Sequence, residues 1–269
     1  MNAKGNPTTP ANPASTGKKV TLSVIKADVG SIGGHTKPSD KMMHVVREMI
    51  QAACSGSQRL LIDGMVTHTG DDIALIMSHE HGVGAQAIHS FAWNCFLEAT
   101  RIAREQGLYG AGQDLLVDAP SGNIRGAGPA VAEIEFERNP ASKDRPAEAF
   151  LVFAADKCSP GAYNYPLYAA FCDPMHDGGL LLNPRMHKGF TFTIIDMDYR
   201  DADRLIRLDV PERVWDVAAL LQNPDRFAVE AIHSRYKPDE QIVAVSATRL
   251  HNIAGRYTGK DDPVAIVRT

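Results

Sequence analysis

Apolar and polar residues alternate along KKVTLSVIKAD (18–28), the period of a half-buried strand, and the run ends on an acid ahead of the glycine-rich VGSIGGH. A helix is predicted from Pro38 or Ser39 through MMHVVREMIQAA, because proline suits a first helical turn and SGSQ breaks the pattern. RLLIDGMVTHT (59–69) and IALIMSH (73–79) read as strands joined by TGDDI, so Asp71 and Asp72 fall at a hairpin tip. Ile88, Phe91, Ala92, Cys95, Phe96, Ala99, Ile102 and Ala103 recur at three- and four-residue spacing, which predicts a long helix over 84–106 that stops at Gly107.

The glycine-rich stretch 107–128 has little periodicity and reads as a long loop, a length that in compact domains usually carries function. Strands are predicted at 130–136 and 149–155, the second running out into Asp156 and Lys157. A region interrupted by proline and glycine (158–189) follows. Beyond it come strands at 190–198, 226–234 and 241–248, a helix at 211–222, and a last strand in PVAIVRT. Residues 1–17 lack apolar periodicity and are expected to be a disordered tail.

Composition narrows the function classes. The 269 residues are 44 % hydrophobic and 22 % charged, enough for a large core. A net charge of −4 leaves no overall footprint for nucleic acid or an anionic membrane. Four cysteines without CxxC spacing, and the lack of any apolar run of spanning length, lead us to expect reduced thiols and a cytoplasmic small-molecule enzyme.

The densest chemistry lies in AGRYTGKDDP (254–263), where Tyr257, Lys260, Asp261 and Asp262 share one glycine-punctuated turn. A lysine attacks a carbonyl only as the neutral amine, and two bare carboxylates beside it oppose that. Metal ions that absorb the aspartate charge reverse the logic. The alternative is a solvated turn whose charges do nothing. Asp28, His35, Asp71, Asp72, Gln113, Asp156, Asp261 and Asp262 all stand at strand ends or in loops, with no thiolate among them. Such oxygen-rich donors select Mg²⁺ or Mn²⁺ over zinc, and paired ions suit phosphoryl displacement, so a metal-dependent phosphatase is the first reaction class suggested. Taken singly, each aspartate also reads as a turn or cap residue. His79 and His81 in SHEHG lack a nearby third ligand and are expected at a solvated strand end. GAGQDL and GNIRGAG are incomplete dinucleotide fingerprints, and Ser31 and Ser121 read as turn residues.

KVTLSVIKADVGSIGGH, HTGDDIALIM, EQGLYGAGQDLL, SGNIRGAGPAVAE, FAADK, PRMHKGF and AGRYTGKDDPVAIVR together resemble the bifunctional fructose-1,6-bisphosphate aldolase/phosphatases of archaea and deeply branching bacteria. The resemblance runs from residue 19 to the last residue. It implies an α+β fold, a single-domain α-β-β-α layered sandwich assembled as an octamer. It also implies a gluconeogenic enzyme that condenses dihydroxyacetone phosphate with glyceraldehyde 3-phosphate and then removes the 1-phosphate of the product. Lys260 would form the Schiff base, Tyr257 would serve as acid/base, and Asp28 would join them in catalysis. Asp28, His35, Asp71, Asp72, Gln113, Asp156, Asp261 and Asp262 would hold several Mg²⁺ ions. His35, Tyr109, Gly122, Asn123 and Lys157 would contact the phosphorylated sugar. Family members continue well past GKDDP, so residues 18–269 are expected to be a C-terminally incomplete catalytic domain whose last strand lacks natural neighbours. A Mg²⁺-dependent sugar phosphatase without aldolase activity, or an inactive fragment that binds metal or sugar phosphate, are the other readings.

Overall fold

The computed structural model describes residues 18–115, 128–138, 147–198, 204–238, 240–246, 248–249 and 260–269. The expected N-terminal tail (1–17), Ser121, Gly122, Asn123 and Tyr257 lie outside the described residues. In chain order the elements are β1 (Lys18–Ala27), α1 (Asp40–Ala53), β2 (Asp63–Thr69), β3 (Asp72–His79), α2 (Gln86–Glu105), β4 (Ala130–Arg138) and β5 (Phe150–Ala154). There follow α3 (Asn164–Phe171), α4 (Gly179–Leu182), β6 (Phe190–Asp196), β7 (Arg204–Val210), α5 (Val214–Leu221), β8 (Phe227–Ser234), β9 (Gln241–Val245), β10 (Thr248–Arg249) and β11 (Val264–Arg268). One 3-10 turn, Gln113–Leu115, interrupts the loop after α2.

Two antiparallel sheets form, ordered β10-β4-β1-β3-β2 and β5-β11-β9-β8-β6-β7. They stack through β1 and β4 against β9 and β11. Helices α1 and α2 cover the outer face of the first sheet, and α3 and α5 that of the second. The layers therefore run α-β-β-α around one stacked pair of sheets, the expected α+β sandwich.

Side-chain alternation explains the layering. Along β1, Ile25 and Ala27 point to the core beneath α1 and α2, while Leu22 and Val24 point between the sheets to Ala244, Val264 and Ile266. Burial on both faces is why every residue of this strand after Val20 is buried, the polar Thr21, Ser23 and Lys26 included. Helix α1 starts at Ser39, whose Oγ accepts from the Met42 N–H at 3.2 Å and donates to Gln106 Oε1 at 2.6 Å. Met42, Met43, Val46 and Ile50 then bury one stripe. Each such side chain contributes about 1.5–3 kcal/mol of transfer free energy.

The structure departs from the sequence pattern in four places. Helices α3 and α4 occupy part of the region expected to be irregular; Pro166 falls in the first turn of α3, where its missing N–H has no intrahelical partner to lose. Strand β7 was not anticipated, although Ile206, Leu208 and Val210 alternate inward along it. The last strand, β11, has neighbours on both sides, pairing with β5 and β9. His79 is not at a solvated strand end but fully buried. It shares the helix-facing parity of Ile73, Leu75 and Met77 and so is carried under the start of α2. Its Nδ1 accepts from the His81 N–H at 3.2 Å, which leaves Nε2–H to donate to Ser23 Oγ at 2.8 Å. Ser23 in turn donates to Glu133 Oε1 at 2.5 Å.

Candidate active site

Register and parity bring the acids together. Ala27 is opposite Ile73, so the end of β1 and the start of β3 place Asp28 beside the Gly70–Asp71 turn. Val264 is opposite Ala154, so Asp156 and Asp262 leave the same end of the second sheet. Because Asp71 ends the turn and Asp72 begins β3, their side chains diverge. Asp28, His35 and Asp71 form one group of candidate ligand atoms, and Asp72, Asp156 and Asp262 another, each with its atoms within 4.8 Å of one another. His35 Nδ1 lies 2.7 Å from Asp71 Oδ2 and 3.6 Å from Asp28 Oδ2. Lys157 Nζ ties the two groups by donating to Asp71 Oδ1 at 3.2 Å, Asp156 Oδ2 at 2.7 Å and the His35 carbonyl at 3.1 Å.

Tight backbone geometry serves this packing. Gly70 has φ +56°, and a Cβ there would collide with the Asp156 carboxylate, so only glycine lets the hairpin tip meet the second sheet. His35, Lys157 and Asp262 adopt positive φ although each carries a side chain. Strain of this kind, of order 1–3 kcal/mol per residue, clusters at functional sites.

Two lysines are buried in the same place. Lys26, 1 % exposed, pairs with Asp72 and donates to the Ala155 carbonyl at 2.9 Å, bridging the two sheets. Lys260, 4 % exposed, donates to Asp261 Oδ1 at 2.8 Å and lies 3.5 Å from Asp114 Oδ2. Asp114 Oδ2 also accepts the Asp28 N–H at 2.8 Å, and its Oδ1 accepts the Gly128 N–H at 3.1 Å. Burial by itself disfavours the ammonium form of Lys260, yet Asp114, Asp261 and Asp72 outweigh it and hold the amine protonated above its ordinary range. Burial pushes the Asp28 carboxyl up to about 8, with repulsion from Asp114, Asp71 and Asp72 adding to it. Burial likewise takes Asp72 to about 7 against the pull of Lys26 and Lys260. For Asp71, burial also raises the carboxyl, but hydrogen bonds from His35 and Lys157 leave it below the usual range.

These groups fit a hard divalent cation. The donors are oxygen with one imidazole, the carboxylates repel one another in a buried place, and Gln113 Oε1 is buried without a hydrogen-bond partner. Of the residues expected at the site, Asp28, His35, Asp71, Asp72, Asp156, Lys157, Asp262 and Lys260 meet there. Asp261 pairs with Lys260 and joins neither group of three. Tyr109 stands edge-on to the His35 ring at 4.8 Å between centroids and is 47 % exposed, open to a ligand. Sequence reasoning missed Lys26 and Asp114. Lys26 was findable, since it shares the strand face of Asp28 two residues on. Asp114 carries no signal in the sequence.

A family described as fructose-1,6-bisphosphatase matches residues 19–269. The chain belongs to this family. A relative from Thermus thermophilus, named fructose-1,6-bisphosphate aldolase/phosphatase, is 56 % identical over 251 residues, covering 93 % of this chain and 66 % of the relative. Relatives of the same name from Moorella thermoacetica and Cenarchaeum symbiosum are 46 % and 45 % identical, over 94 % and 93 % of this chain and 62 % of each relative. The chain thus spans less than two thirds of the length of these family members. Among the described residues no helix is long and apolar enough to cross a membrane.

Proposed function

We propose that the chain carries the active site of a bifunctional fructose-1,6-bisphosphate aldolase/phosphatase acting in gluconeogenesis on phosphorylated trioses and sugars. The observation that carries this reading is the juxtaposition of a buried amine, Lys260, with two three-residue groups of candidate metal ligands. Asp28, His35, Asp71, Asp72, Asp156 and Asp262 would hold Mg²⁺, with Gln113 and Asp261 as further oxygen donors. When bound, such ions supply positive charge that neutralises the carboxylates and polarises phosphoryl oxygens.

The chain's own residues account for the rest. Lys260 is the proposed amine for the ketone carbon, and Asp114 and Asp261 flank its Nζ at 3.5 and 2.8 Å. Once those acids no longer hold the proton, the neutral amine can attack the carbonyl of dihydroxyacetone phosphate and expel water as the Schiff base forms. Tyr257 is the proposed acid/base partner. Lys157, more than half exposed at its side chain, is proposed to meet a substrate phosphate, with Tyr109 and His35 nearby. Asp28, beside His35 and Asp71, is proposed as a base for water in phosphate release, ionised once the cations offset the burial and carboxylate repulsion that raise it in the metal-free protein. Octameric assembly, expected from the resemblance, is part of the same proposal.

One observation favours a narrower reading, a Mg²⁺-dependent phosphatase without aldolase activity: three carboxylates hold Lys260 as an ammonium, the form that binds phosphate but does not attack carbonyls. Borohydride reduction in the presence of dihydroxyacetone phosphate and Mg²⁺ separates the two. Covalent mass added at Lys260, lost in Lys260→Arg, is expected for the bifunctional enzyme. Phosphate release from fructose 1,6-bisphosphate without any trapping leaves only the phosphatase.

A further inference from the structure

Away from α3 and α5, strands β6, β7 and β8 present a second polar surface. Cross-strand register sets Arg207, Thr193 and Ala231 in one row and Asp209, Thr191 and His233 in the next. Residues two apart on a strand share a face, so both rows look the same way. Among the described residues the first sheet stacks chiefly on β9 and β11 of the second, away from β6 and β7 at its other edge. A cavity of about 410 Å³ opens there, lined by Thr191, Thr193, Arg207, His233, Ser234 and Arg235.

The lining is rich in donors and poor in free acid. Thr193 and Ser234 are 5 % and 7 % exposed, so their hydroxyls are held in place rather than loose on the surface. Of the neighbouring carboxylates, Glu212 is paired with Arg235 at 2.6 Å, while Asp209 accepts from the Thr191 hydroxyl at 2.6 Å and keeps its charge outside the lining. Arg207 is exposed and forms no ion pair with a carboxylate among the described residues. Beside it, burial and the Arg207 charge hold His233 below the ordinary imidazole range, so the imidazole already senses the charge that an anion would neutralise. A guanidinium fork with an imidazole and fixed hydroxyls matches the oxygens of a tetrahedral oxyanion. None of these residues belongs to the carboxylate site.

We propose that this cavity binds the phosphoryl group of a small molecule, at a site separate from the active site and independent of its assignment. The test is calorimetric titration of the metal-free protein in EDTA, where the carboxylate groups repel anions, with inorganic phosphate in one arm and glycerol 2-phosphate in the other. Saturable one-to-one binding is expected, weakened at least tenfold in Arg207→Ala and unchanged in Arg213→Ala, a surface arginine paired with Asp216 outside the cavity. Arg207 is exposed, so its removal leaves the core intact. The imidazole resonance missing from His233→Gln is expected to shift on titration. Equal affinities in the two arms identify free phosphate as sufficient, and tighter binding of the ester identifies a phosphate monoester. Absence of saturable binding in both arms, equal affinity in Arg207→Ala and wild type, or an unmoved His233 resonance overturns the proposal.

Discussion

At the scale of single residues, the site depends on groups that are costly to bury unless something compensates them. Asp114 illustrates this, since its carboxylate satisfies two backbone N–H groups and lies near Lys260, so one side chain ties the β1 exit, the β4 entry and the candidate nucleophile together. Gly70 matters for the opposite reason, because it contributes nothing but space. Gly70→Ala drives a methyl group toward the Asp156 carboxylate and imposes a strained φ. It is expected to weaken Mn²⁺ binding about tenfold or more, as displaced ligand supports commonly do. Titration of Mn²⁺ followed by paramagnetic resonance measures this, and an unchanged affinity would show that the hairpin tip does not position the ligands.

At the scale of elements, the chemistry hangs on two strand pairs whose ends coincide. β11 delivers Lys260 and Asp262 at its entry and lies between β5 and β9, so its packing holds the site in register. Ile266 is fully buried between the sheets, and Ile266→Ala is expected to destabilise the fold by about 2–5 kcal/mol through lost burial and a residual cavity. Ser39→Ala, which removes the cap of α1 and the hydrogen bond to Gln106, is expected to lose about 1–2 kcal/mol. Urea denaturation of the metal-free protein compares the two directly. A larger effect from the cap than from the strand would contradict this account of where the stability resides.

At the scale of the whole molecule, the metal-free fold carries an electrostatic debt that depends on pH. The folded carboxyls of Asp28 and Asp72 sit at about 8 and about 7, against an ordinary value of 3.8. The folded state therefore holds these protons more tightly than the unfolded chain does. Their contribution is fully present below about pH 4 and is lost as pH rises through about 7 to 8. In EDTA, the melting temperature of the wild type is expected to fall across that window relative to Asp28→Asn, by roughly 2–4 °C for each kcal/mol involved. Saturating Mg²⁺ is expected to reverse the order, since it stabilises the folded wild type with Asp28 ionised and stabilises Asp28→Asn, which lacks a proposed ligand, less. Parallel curves for wild type and variant in EDTA would rule out Asp28 as the source.

Much of this protein was legible before any coordinates. The alternation in 18–27 and the three- and four-residue spacing in 86–105 mark β1 and α2 because a strand or helix with one buried face must repeat at its own period. The acids at 28, 71–72, 156 and 261–262 were visible as strand-end residues for the same reason. Strand β7 and helix α3 were harder, since β7 leaves Leu205 exposed and α3 begins among residues that usually mark loops. What only the tertiary structure decided was which of those acids meet, and with what. Asp71 and Asp72 are neighbours in sequence but join different groups, because a turn residue and the first residue of a strand point in different directions. Lys26, Asp72 and Ala155 come together across two sheets, and Asp114 reaches Lys260 across 146 positions of chain. Local periodicity determines which face of an element is buried, but contacts between faces depend on sheet order and register, and these are set by the packing of the whole chain.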